Sequence, residues 1–421
     1  MENLLVYLNY LEHRNEMDVV NLSLGLASIV TNAKTKEPIK ILDCVLPNLS
    51  YEQSYEKIKE EKPIVVGFYT TMINLMPALN ICHKLKFDYN KNIITVIGGP
   101  GARSLTFLSK KSNIDCIDYV VCGDGEKDFE KICNSKLKPK KTIYLDDIVS
   151  LASLNFPRRE CFDVQGYIKH SKEKTFWKAK ELYLYLSKGC NYGKCIFCSV
   201  KGKVRLRPLH QVKEELSYLK NFGIEQLSIF DPNFLCDLDY AKSFCNIIKP
   251  YKLKWRTEAS IKDIIKDESI LNNMEASGCS YLAVGIESGS DKMLRVLKKG
   301  ITISEIKKAL EKISKTNISL FPLFIYNIPY ETETDLNSSY ILLKNIFNKK
   351  IKVARIIFSE FAPLPATPAF TKGLYGSMSK EEKERFKNKV KNLCENNKVP
   401  CFFINFTPIN LAQIITHVKE V

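Results

Sequence analysis

Three of the fourteen cysteines stand in one short segment, Cys190-Asn-Tyr-Gly-Lys-Cys195-Ile-Phe-Cys198. Thiolates spaced C-x4-C-x2-C let a loop curl around one ion or cluster. A structural zinc wants four ligands closing a tetrahedron. The nearest histidine, His210, is twelve residues on, and no neighbouring cysteine completes a second C-x2-C knuckle. Thiolate-only ligation favours iron–sulfur chemistry. Three ligands on a [4Fe-4S] cube leave one iron open to a substrate or cosubstrate. The rival from another class is a non-catalytic zinc-binding adaptor, in which the segment is an incomplete knuckle. The other eleven cysteines are scattered, mostly in apolar surroundings, and read as small buried hydrophobes.

These thiols need a scaffold, and the flanking sequence supplies one. From residue 181, apolar runs predict strands over 182–186, 226–230, 253–259, 281–286, 319–326 and 354–361. Helices are predicted over 211–222, 237–249, 267–277, 289–298, 303–315 and 333–347. The cysteine segment follows directly on the first of these strands. Six βα-type repeats suit an open, partial (β/α)6 TIM barrel over 181–365, and such barrels build their sites at the carboxyl ends of the strands. Residues 366–421 read as a helical extension, with a charged helix over 379–397 and a short apolar tail. The first 135 residues alternate in the same way, with strands over 4–10, 39–43, 64–70, 93–97 and 119–122 and helices over 21–32, 51–60 and 73–86. That pattern predicts an α/β, doubly wound, parallel-sheet domain, which takes ligands beyond the carboxyl ends of its strands. Gly98-Gly99-Pro100-Gly101 and Gly123-Asp124-Gly125-Glu126 lie at such ends. Residues 136–180 break the rhythm and read as a linker.

Bulk composition narrows the function classes. Of 421 residues, 45% are hydrophobic and 26% charged, which excludes disorder. The net charge of +16 reads as a lysine-rich, solubilising surface. The lysine runs at 136–141 and 349–352 are not interleaved with aromatics, so no nucleic-acid partner is predicted. The longest apolar stretch, 318–328, is broken by Pro322 and falls far short of the ~18 residues needed to span a bilayer. No basic region precedes the first strand and no small-residue cleavage site follows it, so no signal peptide is expected. A cytoplasmic, membrane-free protein with reduced cysteines is the resulting expectation.

On these residues the chain resembles a radical S-adenosylmethionine (SAM) enzyme, of the branch that carries an N-terminal cobalamin (B12)-binding-type, Rossmann-like domain. The resemblance runs to about residue 370. The usual cluster loop of that family is C-x3-C-x2-C; the longer form here, with Gly193-Lys194 before the second cysteine, is a familiar variant in the branch. The resemblance implies that Cys190, Cys195 and Cys198 hold a [4Fe-4S] cluster whose open iron chelates SAM. Reductive cleavage would then give methionine and a 5′-deoxyadenosyl radical, and Phe197 would lie against the adenine. The segments around Asp231, Arg256-Thr257-Glu258 and Gly285-Ile286-Glu287-Ser288-Gly289-Ser290 match strand ends near SAM, so Asp231, Arg256, Glu258 and Glu287 are expected around it. Plainer readings make Glu287 a helix cap, Arg256 and Glu258 an interior ion pair, and Asp231 a loop cap. Of the cations after the cluster loop, Arg205 is favoured to neutralise the SAM carboxylate or the cluster. Tyr326-Asn327-Ile328-Pro329-Tyr330-Glu331-Thr332 resembles G-x-P-G-E-T with both glycines replaced, and Pro365-Ala366-Thr367-Pro368 resembles P-G-T-P. Tyr330 is expected to fill space at the mouth of the site.

The cobalamin branch also carries D-x-H-x-x-G, S-x-L and G-G. The first is absent: His13 lacks the partner Asp and Gly and reads as a surface-loop residue. Thr70-Thr71-Met72 approximates the second, and twenty-five residues separate it from Gly98-Gly99. Glycine brings backbone close to a nucleotide tail with no Cβ in between. Thr70, Thr71, Gly98 and Gly99 are therefore expected against a cobalamin that has no histidine ligand. The activity implied is methyl transfer to an unactivated carbon of a peptide or small-molecule substrate, with an external electron donor such as flavodoxin or ferredoxin. Without cobalamin, radical epimerisation, cyclisation or rearrangement is implied instead. A methylthiotransferase is disfavoured, because no second three-cysteine motif stands in the N-terminal domain.

Overall fold

The computed structural model describes residues 3–9, 20–108, 114–200, 202–349 and 351–405. The chain divides near residue 181 into two compact units. His13 and Lys201 lie outside the described residues.

The first unit is built on six strands: β1 (Asn3–Tyr7), β2 (Ile39–Asp43), β3 (Val65–Tyr69), β4 (Ile94–Gly98), β5 (Tyr119–Val121) and β6 (Ile143–Leu145). They pair in parallel in the order β2-β1-β3-β4-β5-β6. Strands buried on both faces read as continuous apolar runs; β1 is buried at every residue, and Val6, Val66, Phe68 and Ile97 join one core with Ile58, Leu75 and Leu79 from the helices. The helix Tyr51–Glu61 opens on a capping box in which Ser50 and Gln53 satisfy each other's backbone N–H. Sequence order reverses between β1 and β3, so the ligand crevice of this topology lies beyond their carboxyl ends.

Residues 136–180 are not a linker. They contribute β6, which pairs with β5, and a helix over Val164–Lys174 whose Tyr167 hydroxyl donates to Asp43 Oδ2 at 2.8 Å. Strand β6 escapes the sequence pattern because it is three residues long and follows a run of lysines.

The second unit begins with β7 (Glu181–Leu184), followed by the two-residue strands β8 (Ser187–Lys188) and β9 (Arg205–Leu206), which pair antiparallel. Then come β10 (Gln226–Ile229), β11 (Lys254–Ala259), β12 (Cys279–Glu287), β13 (Ser319–Tyr326), β14 (Ile356–Glu360) and β15 (Cys401–Ile404). The sheet order is β15-β14-β13-β12-β11-β10-β7, and the pairings from β10 to β15 are parallel. Amphipathic helices separate the strands, among them Ile303–Ser314 and Glu333–Asn348, each opened by a capping box. The predicted helix over 267–277 is Ile270–Ala276, and a separate helix that was not predicted, Ile261–Lys266, precedes it.

The extension over 366–421 is not wholly helical. The helix Lys380–Asn396 leads into β15, a seventh strand beside β14. Phe403 of β15 stacks on Phe358 of β14 with centroids 5.3 Å apart, and the Tyr326 hydroxyl donates to Asn405 Oδ1 at 2.5 Å. Among the described residues no helix is long and apolar enough to cross a membrane.

Candidate active site

The cysteine loop is pinched at its base by the β8–β9 ladder, and Cys190 N–H donates to Gly202 O at 3.3 Å inside it. Asp231, at the end of β10, grips the same base. Its Oδ1 accepts from the N–H groups of Leu186 (2.7 Å) and Ser187 (3.1 Å), and its Oδ2 accepts from the Ser187 hydroxyl (2.7 Å). Burial pushes this carboxyl up to about 6, against the pull of those donors and of Arg207. The tip of the loop is held from the other side. Tyr192 Oη donates to Lys298 O at 2.8 Å, and Ile196 N–H donates to Leu297 O at 3.1 Å. Gly300 permits this contact: its φ is +71°, and a Cβ there would stand 2.2 Å from the Tyr192 hydroxyl. Asn233 closes the third side, bonding Asn191, Asp263 and the Ser260 N–H.

Held this way, Cys190, Cys195 and Cys198 line one cavity of about 550 Å³, within the usual size for small-molecule sites. Phe197, Glu258, Glu287 and Lys299 line it with them, and Leu323, Ile325, Phe361 and Leu364 form an apolar wall. Among the described residues, no three or more His, Cys, Asp or Glu side chains form a group able to hold a metal ion as they stand. Burial pushes Cys195 up to about 11 and raises Cys198, with Lys299 opposing both. Lys299 pairs with Glu287 at 2.7 Å. Burial works against its charge, but Glu287 and the two thiols outweigh that and keep its pKa above the ordinary value. Glu287 itself sits at φ +64° on a bulge in the β12–β13 ladder. Gly285, two residues earlier, has no Cβ to strike the pair: one would lie 2.4 Å from Glu287 Oε1 and 2.6 Å from Lys299 Nζ. Glu258 opens into the cavity. The protein around it desolvates its carboxylate and raises its pKa, against the charge of Arg256 on the same strand. A soft, all-thiolate donor set with a lysine beside it and no histidine among the lining residues fits an iron–sulfur cluster.

Of the residues expected around SAM, the fold brings Phe197, Glu258 and Glu287 into the cavity and leaves Asp231 and Arg256 off its lining. Asp231 acts on the loop base, which is the plainer of its two readings. Arg205 lies in the β8–β9 ladder and is also off the lining. Arg207 is buried against Glu215 and the Tyr185 carbonyl, 5.1 Å over the Tyr185 ring. Tyr330 does not fill the mouth: it is 67% exposed and absent from the lining. What survives at the replaced glycines is their backbone. Asn327, Tyr330 and Ala366 have φ of +57°, +65° and +68°, and Asn327 adds bonds from Nδ2 to Glu360 Oε1 and from Met378 N–H to its Oδ1. Sequence reasoning missed Lys299, Tyr192 and Asn233. Tyr192 and Asn233 stand inside the matched segments without having been assigned a role, and Lys299 stands beyond the segment that ends at Ser290.

In the first unit, Thr70 and Thr71 follow β3 at the crevice edge. Thr70 N–H and Oγ1 both donate to Gly98 O at 2.8 Å, and Gly101 N–H donates to Thr70 O at 2.8 Å. Gly99 has φ +85°, and a Cβ there would meet Thr70 O at 2.6 Å. Its lack of a side chain is thus required by loop–loop packing within the chain. Gly98 differs, since its nearest Cβ neighbours lie at 3.9 Å. Gly98 ends β4, and a Cβ there would make only ordinary contacts with Phe68 O and Val121 Cβ, so packing within the chain does not require glycine at this position.

Residues 184–343 match the Radical SAM superfamily. An uncharacterized methyltransferase of Pyrococcus horikoshii is 27% identical over 364 residues, covering 82% of this chain and 76% of that one. A putative methylthiotransferase of Methanocaldococcus jannaschii is 26% identical over 342 residues, covering 77% and 72%. The structure of the radical SAM methyltransferase TsrM from Kitasatospora setae, solved with cobalamin and a [4Fe-4S] cluster, superposes with a TM-score of 0.68 at 16% identity over 87% of this chain and 77% of that one. The match over residues 184–343 implies a [4Fe-4S] cluster and SAM, and the chain has the fold of the radical SAM methyltransferase TsrM.

Proposed function

We propose that this chain is a cobalamin-dependent radical SAM methyltransferase acting on an unactivated carbon of a peptide or small-molecule substrate. The observation that carries the reading is the convergence of Cys190, Cys195 and Cys198 with Phe197, Glu258 and Glu287 on one cavity. In this reading the three thiolates hold the cluster, Phe197 lies against the adenine, and Glu258 and the Glu287–Lys299 pair face the charged amino-acid end of SAM. Asp231 and Arg256 act through their neighbours, the first on the loop base and the second on Glu258. When bound, the cluster with SAM supplies a 5′-deoxyadenosyl radical and cobalamin supplies the methyl group. The chain does the positioning. Leu323, Ile325, Phe361 and Leu364 exclude water and hold an apolar carbon skeleton against the cluster side of the cavity. Thr71 and Gly98 seat the corrinoid beyond the carboxyl ends of β3 and β4, with Thr70 and Gly99 packed on each other to shape those loops. An external one-electron donor of the flavodoxin or ferredoxin kind, in the cytoplasm, completes the system.

A methylthiotransferase, the activity named for the Methanocaldococcus relative, is the second reading. Against it, Cys44, Cys82, Cys116 and Cys133 of the first unit are buried as core residues, leaving no open thiol trio there among the described residues.

Anaerobic reconstitution followed by iron, sulfide and 5′-deoxyadenosine assays tests the first half of the proposal. One cluster per chain and SAM cleavage are expected, both lost in the Cys190→Ala/Cys195→Ala/Cys198→Ala variant. Stoichiometric zinc without acid-labile sulfide would instead support the adaptor. Purification from cobalamin-fed cells tests the second half, with a retained corrinoid whose visible spectrum lacks histidine ligation expected. SAM cleavage without retained corrinoid would move the reaction to a cobalamin-independent epimerisation, cyclisation or rearrangement.

A further inference from the structure

We propose that the Lys299–Glu287 ion pair sets the reduction potential of the cluster, with its cationic end turned to the cysteine sulfurs and its anionic end offsetting part of that charge. The inference rests on the cluster assigned above.

Both side chains are largely buried, 18% and 8% exposed, and they meet at 2.7 Å. Lys299 Nζ stands 5.9 Å from the centroid of Phe197, the residue between the second and third thiols. The pair is fixed from several directions. Gly285 leaves the volume that Glu287 Oε1 and Lys299 Nζ occupy. The bulge in β12 turns Glu287 toward it. The turn that carries Lys299 is tied to the cluster loop through Tyr192 and Ile196. Of the other lysines lining the cavity, Lys266 is engaged with Asp263 at 2.5 Å and Lys262 is exposed. Lys299 is the end of the pair that meets the cluster loop, with its Nζ over the Phe197 ring and its own turn bonded to Tyr192.

Reduction adds one electron, from an external low-potential donor, to a cluster already bearing three thiolates. No bond forms or breaks and no proton moves. The added negative charge is costly in a partly desolvated cavity, and a cation held beside it favours the reduced state. A lone buried ammonium would be expensive to keep charged; Glu287 holds Lys299 in its charged form at the cost of some of the effect. A pair of this kind predicts opposite consequences from its two members, which a purely structural contact does not.

The test is an EPR-monitored redox titration of the reconstituted chain, without SAM, using dithionite and mediator dyes after iron and sulfide have been counted. At the wild-type midpoint, Lys299→Met is expected to lower the reduced-to-oxidised ratio about tenfold, a fall of about 59 mV for one electron. Glu287→Gln is expected to raise that ratio, and Lys299→Arg to leave it near the wild-type value. Shifts of the same sign in Lys299→Met and Glu287→Gln, or no shift in either, overturn the inference. If Lys299→Met holds no cluster, the sign in Glu287→Gln alone decides. Absence of iron and sulfide from the wild type would overturn the cluster assignment itself and is read separately.

Discussion

Replacing Asp231 separates a charge from the hydrogen bonds it makes. Its carboxylate takes two backbone N–H groups and a hydroxyl at the base of the cysteine loop, in a site where the residue is 3% exposed. Its pKa rises from 3.8 to about 6 on burial. The folded state therefore binds the proton more tightly than the unfolded one, and this group's contribution to stability falls as pH rises from about 4 to about 6. At about 1.4 kcal/mol per pH unit the loss is about 3 kcal/mol. Asn keeps an acceptor for both N–H groups while the Ser187 hydroxyl turns to accept from its amide. Asp231→Asn should therefore match the wild type near pH 4, gain about 3 kcal/mol on it at pH 7.5 and lose this group's share of the slope between. Asp231→Ala escapes the same penalty but orphans two buried N–H groups, at about 1–3 kcal/mol each. It should be less stable than Asp231→Asn at every pH. The assay is urea unfolding of the anaerobic apoprotein, followed by the fluorescence of buried Trp255 in a Trp177→Phe background. A wild-type slope persisting in Asp231→Asn, or Asp231→Ala equalling it in stability, would refute the reasoning.

Three further outcomes are expected. Gly99→Val should destabilise the first unit by roughly 2–5 kcal/mol, through left-handed strain and the clash with Thr70; Gly98→Val should fold normally and lose corrinoid, read by visible absorbance after desalting. Glu331, pushed up to about 8 by burial and with Oε1 buried and unpartnered, carries a neutral carboxyl at pH 7. Because its folded pKa lies above the ordinary 4.5, its contribution to stability is lost as pH rises from about 4.5 to about 8, so the urea midpoint should fall across that window in the wild type and less steeply in Glu331→Gln. Glu258→Ala should weaken SAM binding by about tenfold or more, measured by equilibrium dialysis on the reconstituted chain; an unchanged Kd would remove Glu258 from the SAM contacts.

The parts of the site legible in the sequence are those whose partners are near in sequence. The spacing of Cys190, Cys195 and Cys198 needs only a curled loop, and Glu258 was reached through the resemblance of its strand end to the family's. Lys299 was illegible because its role depends on a bulge that turns Glu287, twelve residues earlier, across the sheet. Tyr330 was misread because a side chain at a left-handed position leaves the surface in a direction that the residue type does not reveal. The glycines at 98 and 99 were detected together but differ, since packing within the chain leaves the first free to carry a Cβ and holds the second against Thr70. Strands β6 and β15 were missed for a shared reason: three or four residues offer no period, and their pairing with β5 and β14 is decided by tertiary burial.

Strand β15 also fixes an order of events during synthesis. Sheet neighbours β7 to β14 all leave the ribosome before Phe403 can cover Phe358 or Asn405 can receive the Tyr326 hydroxyl. Until then β14 is a bare edge, with its backbone and an aromatic cluster open to whatever nascent chain or chaperone is nearby. The cysteine loop, made some two hundred residues earlier, is available for iron throughout that interval. Cluster insertion and the covering of β14 are therefore separable in time, and a ribosome stalled between residues 364 and 400 would present a complete cavity lining on a domain whose sheet edge is still bare.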